Sequence, residues 1–213
     1  MRQISTVLAI LVIGSVILAQ DNGEKTTSGL AVGKKLPAPF DSLIINGKNK
    51  GRQHCLLCEN GLNAAVAVFA REPAEGKDGP LMSLLSKLDE VAEKHQEESL
   101  GAYAIILSPD AKSSANNPDE TDAAKLVEEV RARDELVKRL SARAEKLKTL
   151  VVGCYLPDGP KSYNINPKAE VTVILYERHK VIANFAFGPG KMSDADVERI
   201  VAAAEKMTTN AER

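Results

Sequence analysis

Ala64-Ala65-Val66-Ala67-Val68-Phe69-Ala70 is an unbroken apolar run closed on both sides by polar, loop-forming sequence. A strand with one wet face alternates apolar and polar side chains, whereas a strand covered on both faces does not alternate at all. The run therefore predicts a central strand, and the sheet grows outward from it. Residues 101–107 and 150–155 repeat the pattern and predict two more buried strands. Between the first two, Leu81, Leu84, Leu85, Leu88, Val91 and Ala92 recur at helical spacing, with Lys87, Glu90 and Glu93 on the other face. Residues 121–148 predict a long charged helix with a stripe at Val127, Val130, Val137, Leu140, Ala144 and Leu147, exposed over most of its turns.

Towards the C-terminus, residues 171–176 and 180–187 predict two strands joined by Glu177-Arg178-His179, short enough for a hairpin. Ser193 is placed to cap a final helix, its hydroxyl oxygen accepting from free first-turn amides. Asp194 and Asp196 suit the positive end of the helix dipole, and Val197, Ile200, Val201 and Ala204 form the buried face. Upstream of the central strand, residues 40–45 predict a short strand ended by the turn signal Asn46-Gly47. Residues 47–63 are polar and punctuated by glycine apart from Cys55-Leu56-Leu57-Cys58, which falls in a loop or a single helical turn.

A βαβ unit followed by a ββα unit predicts an α/β fold, a central mixed sheet flanked by helices on both faces. The lead-in Val32-Gly33-Lys34-Lys35-Leu36-Pro37-Ala38-Pro39-Phe40 resembles that of peroxiredoxin-like and cytochrome-maturation-type members of the thioredoxin-like superfamily. Tyr163-Asn164-Ile165 followed by Val171-Thr172-Val173-Ile174-Leu175-Tyr176 resembles the same superfamily's approach to its hairpin. The resemblance spans residues 32–207 and implies a thioredoxin-like fold. Its usual active site does not carry over. The family's cysteine pair follows the first central strand and opens the next helix, where helix-terminal amides lower a thiol pKa. Here that place is Arg71-Glu72-Pro73-Ala74-Glu75-Gly76, without a cysteine, and the family's cis-proline position matches Val171.

The N-terminal residues 1–3 carry one positive charge and lead into an apolar stretch, residues 4–19, ending in Ala19. This reads as a signal peptide cleaved after Ala19, shorter than the ~20 apolar residues that a permanent membrane span needs, with an uncleaved anchor as the alternative because Ile17 is bulkier than the small residue a cleavage site favours. The expected organisation is signal peptide 1–19, flexible tether 20–35, one thioredoxin-like domain 36–208 and a disordered tail 209–213, in an exported protein, periplasmic or secreted. No integral membrane domain is expected after cleavage. With 28 basic against 29 acidic residues, four tyrosines, four phenylalanines and no tryptophan, neither charge nor stacking favours nucleic acid.

Three cysteines in an oxidising compartment allow one disulfide and one thiol left over. Cys55 and Cys58 are the obvious pair, and Cys154, inside an apolar run, is expected to be a buried hydrophobe. The spacing lets two sulfurs meet within one turn and keeps a resolving thiol beside any mixed disulfide, with His54 adjacent. Two readings stay open. Cys55 and Cys58 are attacking and resolving thiols, in unassigned order, of a thiol–disulfide exchange protein acting on protein clients. Alternatively they form a structural disulfide in a catalytically silent binding module. A zinc site through His54 and the pair lacks a second cysteine pair, haem attachment would need histidine where Glu59 stands, and no cofactor motif is present. His95 and His179 are expected to be solvated.

Overall fold

The computed structural model describes residues 26–72, 79–112 and 121–209. The expected signal peptide lies outside the described residues, as do residues 210–213 of the expected tail. Seven strands form one sheet: β1 (Ser42–Ile44), β2 (Gln53–His54), β3 (Ala65–Arg71), β4 (Gly101–Leu107), β5 (Val151–Tyr155), β6 (Val171–Glu177) and β7 (Lys180–Phe187). Four α-helices accompany them: α1 (Leu56–Asn60), α2 (Pro80–Lys94), α3 (Ala123–Ala144) and α4 (Asp194–Thr209). The spatial order is β2-β1-β5-β4-β3-β6-β7.

The stretch 64–70 forms β3, which pairs in parallel with β4 and antiparallel with β6. Val66, Val68 and Ala70 point to one face, Ala65, Ala67 and Phe69 to the other, and all six are buried. The chain steps from β3 to β4 to β5 in one direction, all three parallel. Two successive crossovers of the usual right hand then leave their helices on the same face. Accordingly α2, α3 and α4 all pack on the face of Val66, through Leu84, Leu88, Leu136, Leu140, Val197 and Ile200. On the other face lie α1, through Leu56 and Leu57, the residues Leu30, Leu36 and Phe40, and the 3-10 turn Lys161–Tyr163. The sheet is mixed and carries helices on both faces, three long ones and one of five residues.

The second face is an aromatic layer. Phe40 packs edge-on against Tyr163 and Tyr155 at centroid distances of 5.1 and 5.6 Å, and Tyr163 lies 5.6 Å from Phe69. The buried hydroxyls of Tyr103 and Tyr176 hydrogen-bond at 3.2 Å. Burial pushes the Tyr176 phenol up to about 12 against the opposing hydrogen bond from Tyr103, so both rings stay neutral.

The packing departs from the sequence expectation in four places. Residues 26–35, expected as tether, lie against β6 and β7 from Thr26 onward. Ser28 and Leu30 are buried, the Ser28 hydroxyl meets that of Thr172 at 2.7 Å, and Asn184 Nδ2 donates to the Ser28 and Leu30 carbonyls. The polar composition is consumed by side chain to backbone bonds, so it signals packing here rather than solvation. In α3 only the C-terminal half reaches the core: Val127 and Val130 are exposed, whereas Leu136, Leu140 and Ala144 are buried. The two-residue strand β2 falls where only loop was expected. His95 is also mostly covered, its side chain 16% exposed, because α2 ends against the sheet. His179 sits in the hairpin turn as expected. Arg178 and His179 both have positive φ, 48° and 58°, the geometry of a two-residue turn that matches strand twist. Ser193 caps α4, its hydroxyl accepting from the Asp196 amide at 3.3 Å.

Candidate redox site

The two candidate cysteines flank the start of α1. Cys55, extended at φ −90° and ψ 99°, is the N-cap, and its Sγ accepts from the Cys58 amide at 3.1 Å. Serine or aspartate ordinarily does this with oxygen; here sulfur satisfies a first-turn amide that would otherwise be orphaned. Cys55 and Cys58 are joined as a disulfide, their Cα atoms 5.2 Å apart. The helix stops after one turn because Gly61 takes φ +54° and ψ −125°, a backbone conformation that side chains oppose, while its amide caps the Leu57 and Cys58 carbonyls at 3.2 Å.

The sulfurs are not equivalent. Leu56 and Leu57 turn inward and carry Cys55 with them, leaving it 8% exposed. Cys58 lies on the outer side of the turn and is exposed. Of the pair, Cys58 is the residue that faces solvent. Displacement at its sulfur would release Cys55 as a thiolate already holding a backbone N–H donor.

Glu59, next to Cys58, gathers the polar groups of the site. His54 Nε2 lies 2.7 Å from its Oε2, Lys48 Nζ lies 2.6 Å from its Oε1, and Asn49 Nδ2 donates to it at 3.3 Å. Burial alone would push the Glu59 carboxyl up. Hydrogen bonds and charge from Lys48 and His54 outweigh it and hold the group below the usual carboxylate range. Sequence reasoning singled out His54 but gave no role to Glu59, the neighbour of Cys58 in α1, or to Lys48, which belongs to the β1–β2 connection and carries no local signal.

The site sits at the pole of the sheet where β3 and β4 begin. Asn60, the last residue of α1, lies against Gly101 so closely that a Cβ there would stand 1.7 Å from its Oδ1. Just beyond α1, the Leu62 carbonyl accepts from Arg178 in the β6–β7 turn at 3.1 Å. β3 is seven residues long, so the pair is removed by roughly 20 Å from the end where α2 follows.

That other end is occupied by a fixed network. The Arg71 guanidinium donates to the carbonyls of Pro157, Asn166 and Ala169, tying the approach to β6. Glu72 accepts from Arg139 Nε at 2.8 Å and from the Ser108 hydroxyl at 3.1 Å. Residues 73–78 lie outside the described residues. Val171 is an ordinary strand residue paired with Ala70 and Phe187, and no cis peptide bond occurs among the described residues.

Cys154 is buried on the opposite face of the sheet, under Leu136 and Leu140. Burial pushes its thiol up to about 12, with Arg133 opposing. It takes no part in the site of Cys55 and Cys58.

No protein-family model matches the chain, and no curated protein matches it by sequence. Solved structures do. A candidate protein disulfide isomerase from Bacteroides thetaiotaomicron superposes with a TM-score of 0.55 at 12% identity, covering 86% of this chain and 95% of that one. A candidate thiol:disulfide interchange protein, DsbE, from Chlorobium tepidum gives 0.51 at 17% identity, covering 85% and 98%. The fold is thioredoxin-like. Peroxidoxin BcpB from Mycobacterium tuberculosis gives 0.50 at 13% identity, covering 82% and 96%. At these identities the likeness concerns the scaffold, and the function has to be argued from the site. Relative to the resemblance drawn from sequence, this thioredoxin-like chain carries its cysteine pair at the opposite pole of the sheet, with an Arg71 and Glu72 network where that resemblance puts a redox centre.

Proposed function

We propose that this protein exchanges disulfides with protein thiols through Cys58, with Cys55 as the resolving sulfur. The observation that carries the reading is the asymmetry within one bonded pair: an exposed Cys58 and a buried Cys55 whose Sγ holds an amide hydrogen bond. A client thiolate attacks Cys58 Sγ, the bond between the two sulfurs breaks, and its electron pair leaves on Cys55, which takes up a proton. A second client thiolate then attacks the client sulfur of the mixed disulfide and expels Cys58. The client dithiol has become a disulfide and the pair two thiols, and the reverse sequence reduces a client. The order is inverted relative to the sequence: the second cysteine meets the client, and the first resolves.

The trap experiment follows from the roles. With a disulfide-bonded peptide, Cys55→Ser should accumulate a mixed disulfide at Cys58, the other peptide sulfur leaving as a thiol, whereas Cys58→Ser should accumulate none. Turnover of insulin reduction should be lost in both. The rival reading, a structural disulfide in a silent binding module, draws support from the packing of Leu56 and Leu57 into the core around Cys55. No turnover in the native protein, together with a reduction potential below about −300 mV, would establish it instead.

We further propose that the protein acts after export. The support is the charge and apolar run of residues 1–19 and a cysteine pair joined as a disulfide, a bond that oxidising compartments favour. Among the described residues no helix is long and apolar enough to cross a membrane. The intact mass of protein recovered from a secreting host checks cleavage after Ala19.

A further inference from the structure

The charge around Cys58 is far from the average of the chain. Although basic and acidic residues nearly cancel overall, 28 against 29, the two loops that flank α1, residues 45–52 and 178–179, hold basic residues and no acidic one. On one side, the β1–β2 connection brings Lys48, Lys50 and Arg52, all exposed and anchored beside Cys58 by the contacts of Lys48 and Asn49 with Glu59. On the other, the β6–β7 turn brings Arg178 and Lys180, with Lys35 bridged to Lys180, all three exposed. This side is fixed by the bond from Arg178 to the Leu62 carbonyl and by the donation from Leu36 to the His179 carbonyl at 2.7 Å. The acidic groups beside these loops are Glu59, already paired with Lys48 and His54, and the half-buried Glu177. Glu97 and Glu98 lie in the connection from α2, which reaches the sheet from the opposite face, and Glu98 contacts His95. Leu62, 64% exposed and four residues past Cys58, adds an apolar contact inside the basic rim.

We infer that the clients of this site are proteins or peptides whose reactive cysteine lies among aspartates and glutamates. The inference rests on Cys58 being the sulfur that clients meet. Basic residues on both sides of the turn that carries Cys58 raise the local concentration of acidic segments and orient them, which acts mainly on the rate of encounter. It also favours the thiolate forms on which exchange depends. An anionic membrane would satisfy the same charges. However, the cations flank the turn that carries a sulfur whose chemistry needs an incoming thiol, which a lipid surface does not bring.

The test uses the oxidised full chain and three peptides, each with one cysteine flanked by glutamates, glutamines or lysines. Dithiothreitol serves as a neutral dithiol. Rates of opening of the pair are compared per thiolate, because flanking charge shifts each peptide's own pKa. At low salt the glutamate peptide should react about 10-fold faster than the glutamine peptide, with the lysine peptide slowest. In roughly 0.5 M salt, where the Debye length falls to a few ångströms, the three should converge. The triple variant Lys50→Gln, Arg52→Gln, Lys180→Gln should lose most of the spread at low salt. Equal peptide rates with rapid opening by dithiothreitol would overturn the client inference and leave the exchange reading standing. Resistance of the pair to dithiothreitol and every peptide would overturn the exchange reading itself. If the triple variant keeps its peptide rates and instead loses binding to phosphatidylglycerol vesicles, the rim serves a membrane and the inference fails.

Discussion

Glu59 illustrates how one side chain couples the cysteine-bearing turn to the rest of the molecule. It joins α1 to the β1–β2 connection through Lys48 and to β2 through His54. Its carboxyl is held below the ordinary range, so its contribution to stability is complete above the unfolded value and is lost as pH falls through the lowered folded value. Wild type should therefore exceed Glu59→Gln in stability at neutral pH. The gap should close below the ordinary glutamate value of about 4.3, as seen by urea denaturation at pH 7 and about pH 3. A gap of equal size at both pH values would mean that the carboxylate charge contributes nothing there. Cys55 acts at the same scale by taking an N-cap position with sulfur. Its place in the pair was legible in the two-residue spacing, but not its burial, which depends on Leu56 and Leu57 reaching a core that other elements complete.

Among the elements, the join between α3 and β5 depends on a residue borrowed from α2. Asp89 is buried, and its carboxylate accepts the amides of Lys148, Thr149 and Leu150 at 3.1, 2.7 and 2.6 Å. Among the described residues, Asp89 is the acceptor that all three donors share as the chain leaves α3 for the sheet. Asp89→Ala should cost about 3 kcal/mol, roughly 1 kcal/mol for each amide left without its acceptor. The loss should appear as a lower urea midpoint at unchanged slope. Asp89→Asn, whose Oδ1 can keep part of the network, should lose less; equal losses would show that the charge, not the acceptor geometry, matters. In the sequence Asp89 is one more acidic residue on a helix whose apolar stripe was read correctly. Its inward turn could not be seen, because its partners lie 59 to 61 residues further on. The limit in α3 is of the same kind: Val127 and Val130 continue the stripe towards solvent because the sheet ends before the helix does.

For the molecule as a whole, the sheet divides the cysteines into two environments. Cys55 and Cys58 belong to the aromatic face and its rim, Cys154 to the helical face. After mild reduction of the folded protein, a thiol reagent at pH 8 should modify Cys58 readily and leave Cys154 untouched until denaturant is added. Burial and a thiol pushed up to about 12 together protect it. Rapid labelling of Cys154 in the native state would contradict the packing of α3 over β5. The sequence by itself determined the succession of strands and helices and the centrality of β3, because hydrophobic periodicity is a local property set by burial on one face or two. It also determined that the customary redox position lacks cysteine, since that is a matter of which residues follow a recognisable strand. Tertiary structure alone decided which cysteine is exposed, where Glu59 finds its partners and how basic loops from distant parts of the chain come to flank α1. The last of these follows from strand order and the hand of the crossovers, which bring together residues more than a hundred positions apart, a separation that no local pattern encodes.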